Sequence, residues 1–129
     1  MIHRAVQYMV QEGATAKGFI VKCEKDLGNG GIVDVHLEKG KERIAVEIAI
    51  ASRPELEISH IKHCVSFGYD LVYGLFADEN LLERTAQLIG ERFSEQEKGQ
   101  VRLLPLRKLS HIEQENGTSS LANNLFLTK

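Results

Sequence analysis

The chain has 129 residues, of which 43% are hydrophobic and 26% charged, with only two prolines. This length and composition fit one compact α/β or α+β domain with a single core. The formal net charge of −2 excludes a global basic field, so any contact with nucleic acid has to come from a local patch.

The sequence favours a cytoplasmic protein without membrane association. No apolar run is long enough to cross a bilayer, and the start Met1-Ile-His-Arg lacks the apolar core of a signal peptide. Cys23 and Cys64 lie far apart with no Cys-x-x-Cys partner, which indicates reduced thiols packed in the core rather than a disulfide or structural zinc. A domain over residues 1–112 is expected, followed by a polar tail over 113–129.

The first half of the chain reads as one helix and three strands. Apolar residues at helical spacing predict a first helix that stops at Gly13. Residues 19–24 form a first predicted strand, and the glycine-rich turn at 28–31 leads into a second, which contains Asp34. A Lys39-Gly40 turn then leads to a third strand, residues 43–50, which contains Glu47.

The second half alternates helices and strands. Ser52 and Glu55 have a capping-box pattern that predicts the start of a helix ending before Gly68. Residues 71–76 are continuously apolar, as in a central strand covered on both faces. Asp78 is expected to cap a third helix, and residues 101–106 form a last strand. The order αβββαβαβ predicts an α/β fold with a mixed sheet flanked by helices.

Each of the second and third strands carries one acid within an otherwise apolar run. Burying an unpaired charge is costly, so Asp34 and Glu47 need a reason beyond stability. Side chains alternate along a strand, and the positions flanking both acids are uniformly apolar, so those positions are predicted to face the core. The two carboxylates are then neighbours on the opposite face, where hard oxygen ligands suit Mg²⁺ or Mn²⁺ better than Zn²⁺.

This arrangement resembles the PD-(D/E)XK nuclease-like superfamily, which includes restriction endonucleases and archaeal Holliday-junction resolvases. The resemblance rests on Asp34, then twelve residues, then Glu47-x-Ala49, within an αβββαβ order spanning about residues 2–76. It implies a restriction endonuclease-like core, DNA as substrate and Mg²⁺ or Mn²⁺ as cofactor. Asp34 and Glu47 match the two metal-binding acids of the motif, and Glu12 matches the acid that many members carry on the first helix, with Glu24 competing for that role. Ala49 stands where active members have a lysine.

A second, weaker resemblance concerns residues 57–70. This segment looks like one that follows an E-I-x variant of the motif in domains attached to mobile-element and conjugation-type ATPases. It implies one domain of a larger DNA-processing machine; a homodimer is the other arrangement that we consider for a catalytically silent module.

The missing lysine leaves three interpretations open. In the first, Lys22 or Lys62 supplies the ammonium and the domain hydrolyses phosphodiesters. In the second, the fold is kept as a catalytically silent module that binds DNA or protein. In the third, the two acids only form ion pairs with Lys22, Arg43 or Arg53.

Three histidines are weaker candidates. His60 and His63 are three residues apart on a predicted helix and could form half a zinc site, but no second Cys or His pair accompanies them. We therefore interpret both as solvated helix residues. His36 shares strand parity with Asp34 and is interpreted as an ordinary histidine of the sheet face.

Overall fold

The computed structural model of the protein describes residues 2–106. Its elements are, in chain order, α1 (Ile2–Ala16), β1 (Ile20–Asp26), β2 (Ile32–Lys39), β3 (Glu42–Ala49), α2 (Pro54–Phe67), β4 (Leu71–Phe76), α3 (Glu79–Arg92), α4 (Glu95–Gly99) and β5 (Val101–Pro105). The α/β class with a mixed sheet flanked by helices is confirmed. The tail proposed over residues 113–129 lies outside the described residues.

One sheet of five strands organises the fold. Its spatial order is β1-β2-β3-β4-β5, so every strand lies beside its sequence neighbour. The pairs β1–β2 and β2–β3 are antiparallel and joined by short turns, whereas β3–β4 and β4–β5 are parallel. Parallel neighbours need a crossover, which α2 supplies between β3 and β4, and α3 with α4 between β4 and β5.

Helices cover both faces of the sheet. On one face, α1 packs against a cluster that includes Val35, Leu37 and Val46. On the other face, α2 and α3 pack against a second cluster that includes Ala45 and Val72. The expectation of a single core face was therefore incomplete, because the face of β3 that carries Glu47 is buried as well.

The start of α2 differs from the capping-box prediction. Ser52 does not cap the helix: the N-cap is Arg53, in extended conformation and without a side-chain cap hydrogen bond, and Pro54 occupies the first turn. Proline suits that position because its fixed φ is helical and it has no N–H to leave unsatisfied. The predicted stop is correct, since Gly68 ends α2 with a φ of 108°, a left-handed conformation that glycine adopts at low cost.

Other helix ends show which local signals were decisive. Gly13 does not end α1; it is buried within the helix, which continues to Ala16. Asp78 caps α3 as expected, accepting hydrogen bonds from the amides of Asn80 and Leu81. The helix α4, opened by a capping box between Ser94 and Glu97, was not predicted because its five residues carry no apolar stripe.

None of the helices within residues 2–106 is long and apolar enough to cross a membrane. Neither cysteine in this range forms a disulfide. Cys64 is buried, as predicted, but Cys23 is exposed, because its strand β1 is the edge of the sheet.

Candidate metal centre

Asp34 interrupts the regular pairing of β2 with its neighbours. The β2–β3 pairing covers Val35 to Lys39, so it begins one residue after Asp34 along the chain. Its carboxylate Oδ2 accepts a hydrogen bond of 2.7 Å from the backbone N–H of Ile48 on β3, and its carbonyl accepts one of 3.0 Å from Nε2 of Gln7 on α1. Asp34 is thus held by both β3 and α1.

This interruption breaks the predicted alternation. Val35 packs in the cluster beneath α1, but Val33 packs in the cluster beneath α2. The prediction that both valines share a face is wrong, because Val33 and Val35 contribute to clusters on opposite faces of the sheet. Glu47 does lie on the same face of β3 as Ala45, toward α2.

Glu24 on β1 approaches Asp34 through an unusual backbone conformation. Its φ of 57° makes it the one non-glycine residue with positive φ among residues 2–106. This conformation is unfavourable for a residue with a Cβ, and such strain concentrates at functional positions. The Glu24 carboxylate accepts a short hydrogen bond of 2.6 Å from Nε2 of Gln7.

A histidine on α1 completes a group of three potential metal ligands. His3 Nε2 lies 3.4 Å from Oδ1 of Asp34. One ligand atom from each of His3, Glu24 and Asp34 lies within 4.8 Å of the other two. Burial raises the pKa of Asp34, while the N–H of Ile48 and then His3 act in the opposite direction. The three side chains come from three different elements, so only the tertiary fold brings them together.

Glu47 is a buried acid beside this group. Its side chain is only 3% exposed, and its Oε2 accepts a hydrogen bond of 3.5 Å from Sγ of Cys64. Burial, and secondly the charge of Asp34, raise the pKa of Glu47 from 4.5 to about 8. In the metal-free protein this carboxyl group therefore keeps its proton at neutral pH.

His60 is the group of opposite charge closest to Glu47 within the described chain. Its Nδ1 lies 3.9 Å from a carboxylate oxygen of Glu47 and 3.9 Å from one of Glu57. The Glu57 carboxylate, and after it that of Glu47, raise the pKa of His60, against the opposing effect of desolvation. The imidazole thus tends to be protonated where it faces the acids.

A cleft of about 460 Å³ opens next to these residues. Its lining includes His3 from α1, Ala49 from the end of β3, and Glu57 and His60 from α2. The two histidines approach from helices on opposite faces of the sheet. Ala49, at the position of the motif lysine, lines the cleft and contributes only a methyl group.

The cations and the helix acid proposed from sequence lie elsewhere. Lys62 Nζ is 2.7 Å from Oε2 of Glu97 and 4.7 Å from the centre of the Phe93 ring. Lys22 is exposed on the edge strand, and within residues 2–106 it forms no ion pair with Asp34 or Glu47. Glu12 is exposed and accepts a hydrogen bond of 2.8 Å from the hydroxyl of Tyr8. Of the proposed ligands, the structure brings Asp34 and Glu24 together with His3 and places Glu47 near Asp34, whereas Glu12 lies apart from them.

The ion-pair interpretation of the two acids is not supported. Asp34 pairs with His3 and Glu47 with His60, whereas Arg43 pairs with Glu38 at 3.3 Å. In the described part of the chain, no lysine or arginine lies within 4.0 Å of either carboxylate.

The remaining histidines have structural roles. His36 is buried: its Nδ1 is 2.6 Å from the hydroxyl of Tyr69 and its Nε2 is 3.0 Å from Oε1 of Glu38. It is a structural residue of the sheet, as expected, and its ring is fully paired. His63 packs beneath the β1–β2 turn, where the backbone of Gly31 comes so close that an added Cβ would lie 2.6 Å from the His63 Cβ. Since His60 lines the cleft that His3 also lines, whereas His63 lies beneath this turn, the two helix histidines do not form a shared site.

Sequence reasoning missed His3 and Gln7 as site residues, and it interpreted His60 as a solvated helix residue. His3 and Gln7 are four residues apart on α1, a spacing that places them on one side of a helix. That signal was present, but neither residue was proposed; Gln7 is buried. Their proximity to Asp34 depends on how α1 crosses the sheet, which no local pattern specifies.

Comparisons with protein-family models, with curated proteins and with solved structures found no match for this chain. The relation to the PD-(D/E)XK superfamily therefore remains a proposal that depends on the residues described above.

Proposed function

We propose that this chain is a divergent metal-dependent nuclease-like domain that acts on DNA. The observation that carries the proposal is the convergence of Asp34 and Glu24 from adjacent strands, with the buried Glu47 near Asp34 and with His3, the third member of the group, lining an open cleft. The positions of Asp34 and Glu47 also follow the motif of the superfamily that the sequence resembles.

The residues present fit a divalent cation. Two carboxylates within 4.8 Å of one another repel when both are ionised, and a cation between them removes this cost. Glu47 holds a proton at neutral pH because it is buried near Asp34, and a nearby cation favours its ionised form. When bound at such acids, Mg²⁺ or Mn²⁺ neutralises charge on a phosphoryl group and lowers the pKa of a coordinated water.

The chain's own residues would mainly bind the cation and orient the carboxylates that hold it. Gln7 fixes the Glu24 carboxylate, and the Ile48 N–H fixes that of Asp34. Hydrolysis of a phosphodiester adds a water oxygen to phosphorus and breaks one ester P–O bond, releasing a phosphomonoester and a hydroxyl group. No lysine reaches this place among residues 2–106, so we expect cleavage to be slow.

Restoring the missing lysine provides the sharpest test. Ala49 lines the cleft, although its own side chain is buried beside Phe76 and Leu81, and Ala49→Lys recreates the E-x-K spacing at its own position. We expect this variant to cleave duplex, single-stranded or branched DNA at least about a hundredfold faster than the wild type with Mn²⁺ present, the gain expected of a positioned catalytic group.

The control is Ala51→Lys, which adds the same charge at an exposed position on the rim of the same cleft. It should leave the rate unchanged. Adding Asp34→Ala to Ala49→Lys should abolish the gain. A folded Ala49→Lys variant with no cleavage on any of the three DNA forms, or a gain that survives Asp34→Ala, would contradict the proposal.

One observation favours a second function, a DNA-binding or protein-binding module without catalysis. Lys62 is engaged by Glu97 and Phe93, and Ala49 carries no charge, so the wild-type chain lacks a cation at the catalytic position among its described residues. This alternative predicts a mobility shift with DNA that persists in chelator and weakens steeply with salt. No shift on any nucleic acid would instead indicate a protein partner.

A further inference from the structure

We infer that His3 is a direct ligand of the metal and gives this centre a preference for Mn²⁺ and later transition metals over Mg²⁺. The inference builds on the proposed metal centre and concerns which ion occupies it. It starts from the side chain on α1 that the sequence motif does not include.

The geometry leaves Oδ1 of Asp34 available to bind the same metal ion as His3. Oδ2 of Asp34 is occupied by the Ile48 N–H at 2.7 Å, so Oδ1 is the atom directed at His3. The separation of 3.4 Å between Oδ1 and His3 Nε2 is longer than a well-formed N–H···O hydrogen bond of about 2.7–3.2 Å. Two donor atoms that face each other at this distance, without bonding tightly, can both contact one ion.

The surrounding residues hold the ligands as the outer partners of a metal site do. Gln7 contacts both acids at once, through the Glu24 carboxylate at 2.6 Å and the Asp34 carbonyl at 3.0 Å. Such partners orient the coordinating groups and often matter nearly as much as the ligands themselves. Gln7 is itself buried, so this bridge is a fixed part of the packing between α1 and the sheet.

A second observation comes from Glu47, the neighbouring acid on β3. Its side chain is only 3% exposed. Within the described chain it has no lysine or arginine partner; its side-chain partners are the Cys64 thiol and the more distant His60. Burying a carboxyl group near the Asp34 carboxylate costs less when a cation lies beside them.

The ligand chemistry then determines the ion. Two carboxylates alone suit Mg²⁺, which prefers oxygen and binds imidazole poorly, whereas imidazole nitrogen favours Mn²⁺, Co²⁺, Ni²⁺ or Zn²⁺. The combination of His3 with Glu24 and Asp34 is a mixed nitrogen and oxygen set. It is expected to discriminate against Mg²⁺ more than an all-acid centre does.

The test uses the full-length chain with Mn²⁺ alone as probe, since Mn²⁺ has a paramagnetic signal. Pulsed electron spin resonance of the bound ion should show coupling to a directly coordinated ¹⁴N nucleus. In His3→Ala this coupling should disappear, and the dissociation constant for Mn²⁺, measured by calorimetry, should rise at least about tenfold. The affinity for Mg²⁺ should change far less.

Matched variants test the metal centre and the role of His3 separately. In Asp34→Asn, binding of Mn²⁺ should be lost; if it is not, the proposed centre and this inference both fail. If Mn²⁺ binding depends on Asp34 but shows no ¹⁴N coupling, or if the coupling persists in His3→Ala and disappears in His60→Ala, the metal centre stands and the role of His3 is refuted. Circular dichroism of each variant establishes that it is folded, and His3→Asn serves as a second substitution if His3→Ala is not.

Discussion

The protonated state of Glu47 leads to a prediction about stability and pH in the absence of metal. Burial and the charge of Asp34 raise the pKa of this carboxyl group from 4.5 to about 8 in the folded protein. Between these two values the unfolded chain releases the proton and the folded chain keeps it. Folding therefore takes up a proton, and the free energy of unfolding must fall as the pH rises through this range.

The size of the effect follows from the same numbers. For each pH unit in this range the free energy of unfolding falls by about 1.4 kcal/mol. The rise in pKa from 4.5 to about 8 therefore corresponds to a loss of roughly 5 kcal/mol of stability. This is a large part of the 5–15 kcal/mol by which domains are usually stable. The raised pKa of His60 acts in the same direction above about pH 6.5, because a protonated imidazole beside Glu57 and Glu47 stabilises the fold.

The variant Glu47→Gln removes the titrating group with little change of shape. Its amide lacks suitable partners at the buried position, which costs about 1–3 kcal/mol at every pH. We expect the variant to be less stable than the wild type at pH 5, and to show a much flatter pH dependence up to pH 8. Urea unfolding followed by far-ultraviolet circular dichroism, in chelator at several pH values, measures both curves.

The change of the free energy of unfolding with pH shows whether Glu47 carries the raised pKa. If the stabilities of the wild type and Glu47→Gln fall in parallel between pH 5 and 8, Glu47 does not carry the raised pKa and the reasoning is wrong. A slope of intermediate size that is removed by His60→Gln instead would assign the effect to the imidazole.

Three further predictions concern the scaffold. Gly31→Ala should lower the free energy of unfolding by about 1–3 kcal/mol in urea titrations, because its Cβ would collide with that of His63; full stability would show that the turn can shift. Tyr69→Phe should cost about 1–3 kcal/mol by leaving Nδ1 of the buried His36 without its donor, and an unchanged urea midpoint would contradict that pairing. Lys62→Met should lower stability by at most about 1 kcal/mol and leave Mn²⁺ binding by calorimetry unchanged, since this ammonium group is a surface ion-pair partner; weakened metal binding would place it at the centre after all.

Local sequence patterns were sufficient to predict the elements and their order, except for the short helix α4. Three predictions that depend only on neighbouring residues were correct: the apolar strand β4 (Leu71–Phe76), the cap at Asp78 and the stop at Gly68. The errors at helix ends involve Gly13 and Ser52, where packing or a one-residue change of start overrode a local signal. The α/β class followed because short-range periodicity specifies each element and its probable neighbours.

The sequence by itself also identified Asp34 and Glu47 as acids out of place on apolar strands, since the cost of burying a carboxylate can be read from its neighbours. It could not predict the partners that hold Asp34, because its hydrogen bonds come from Ile48 and Gln7 on other elements. Nor could it bring His3 to Oδ1 of Asp34, thirty-one positions away along the chain. Such contacts are set by how α1 and the three antiparallel strands pack, and that packing belongs to the tertiary structure alone.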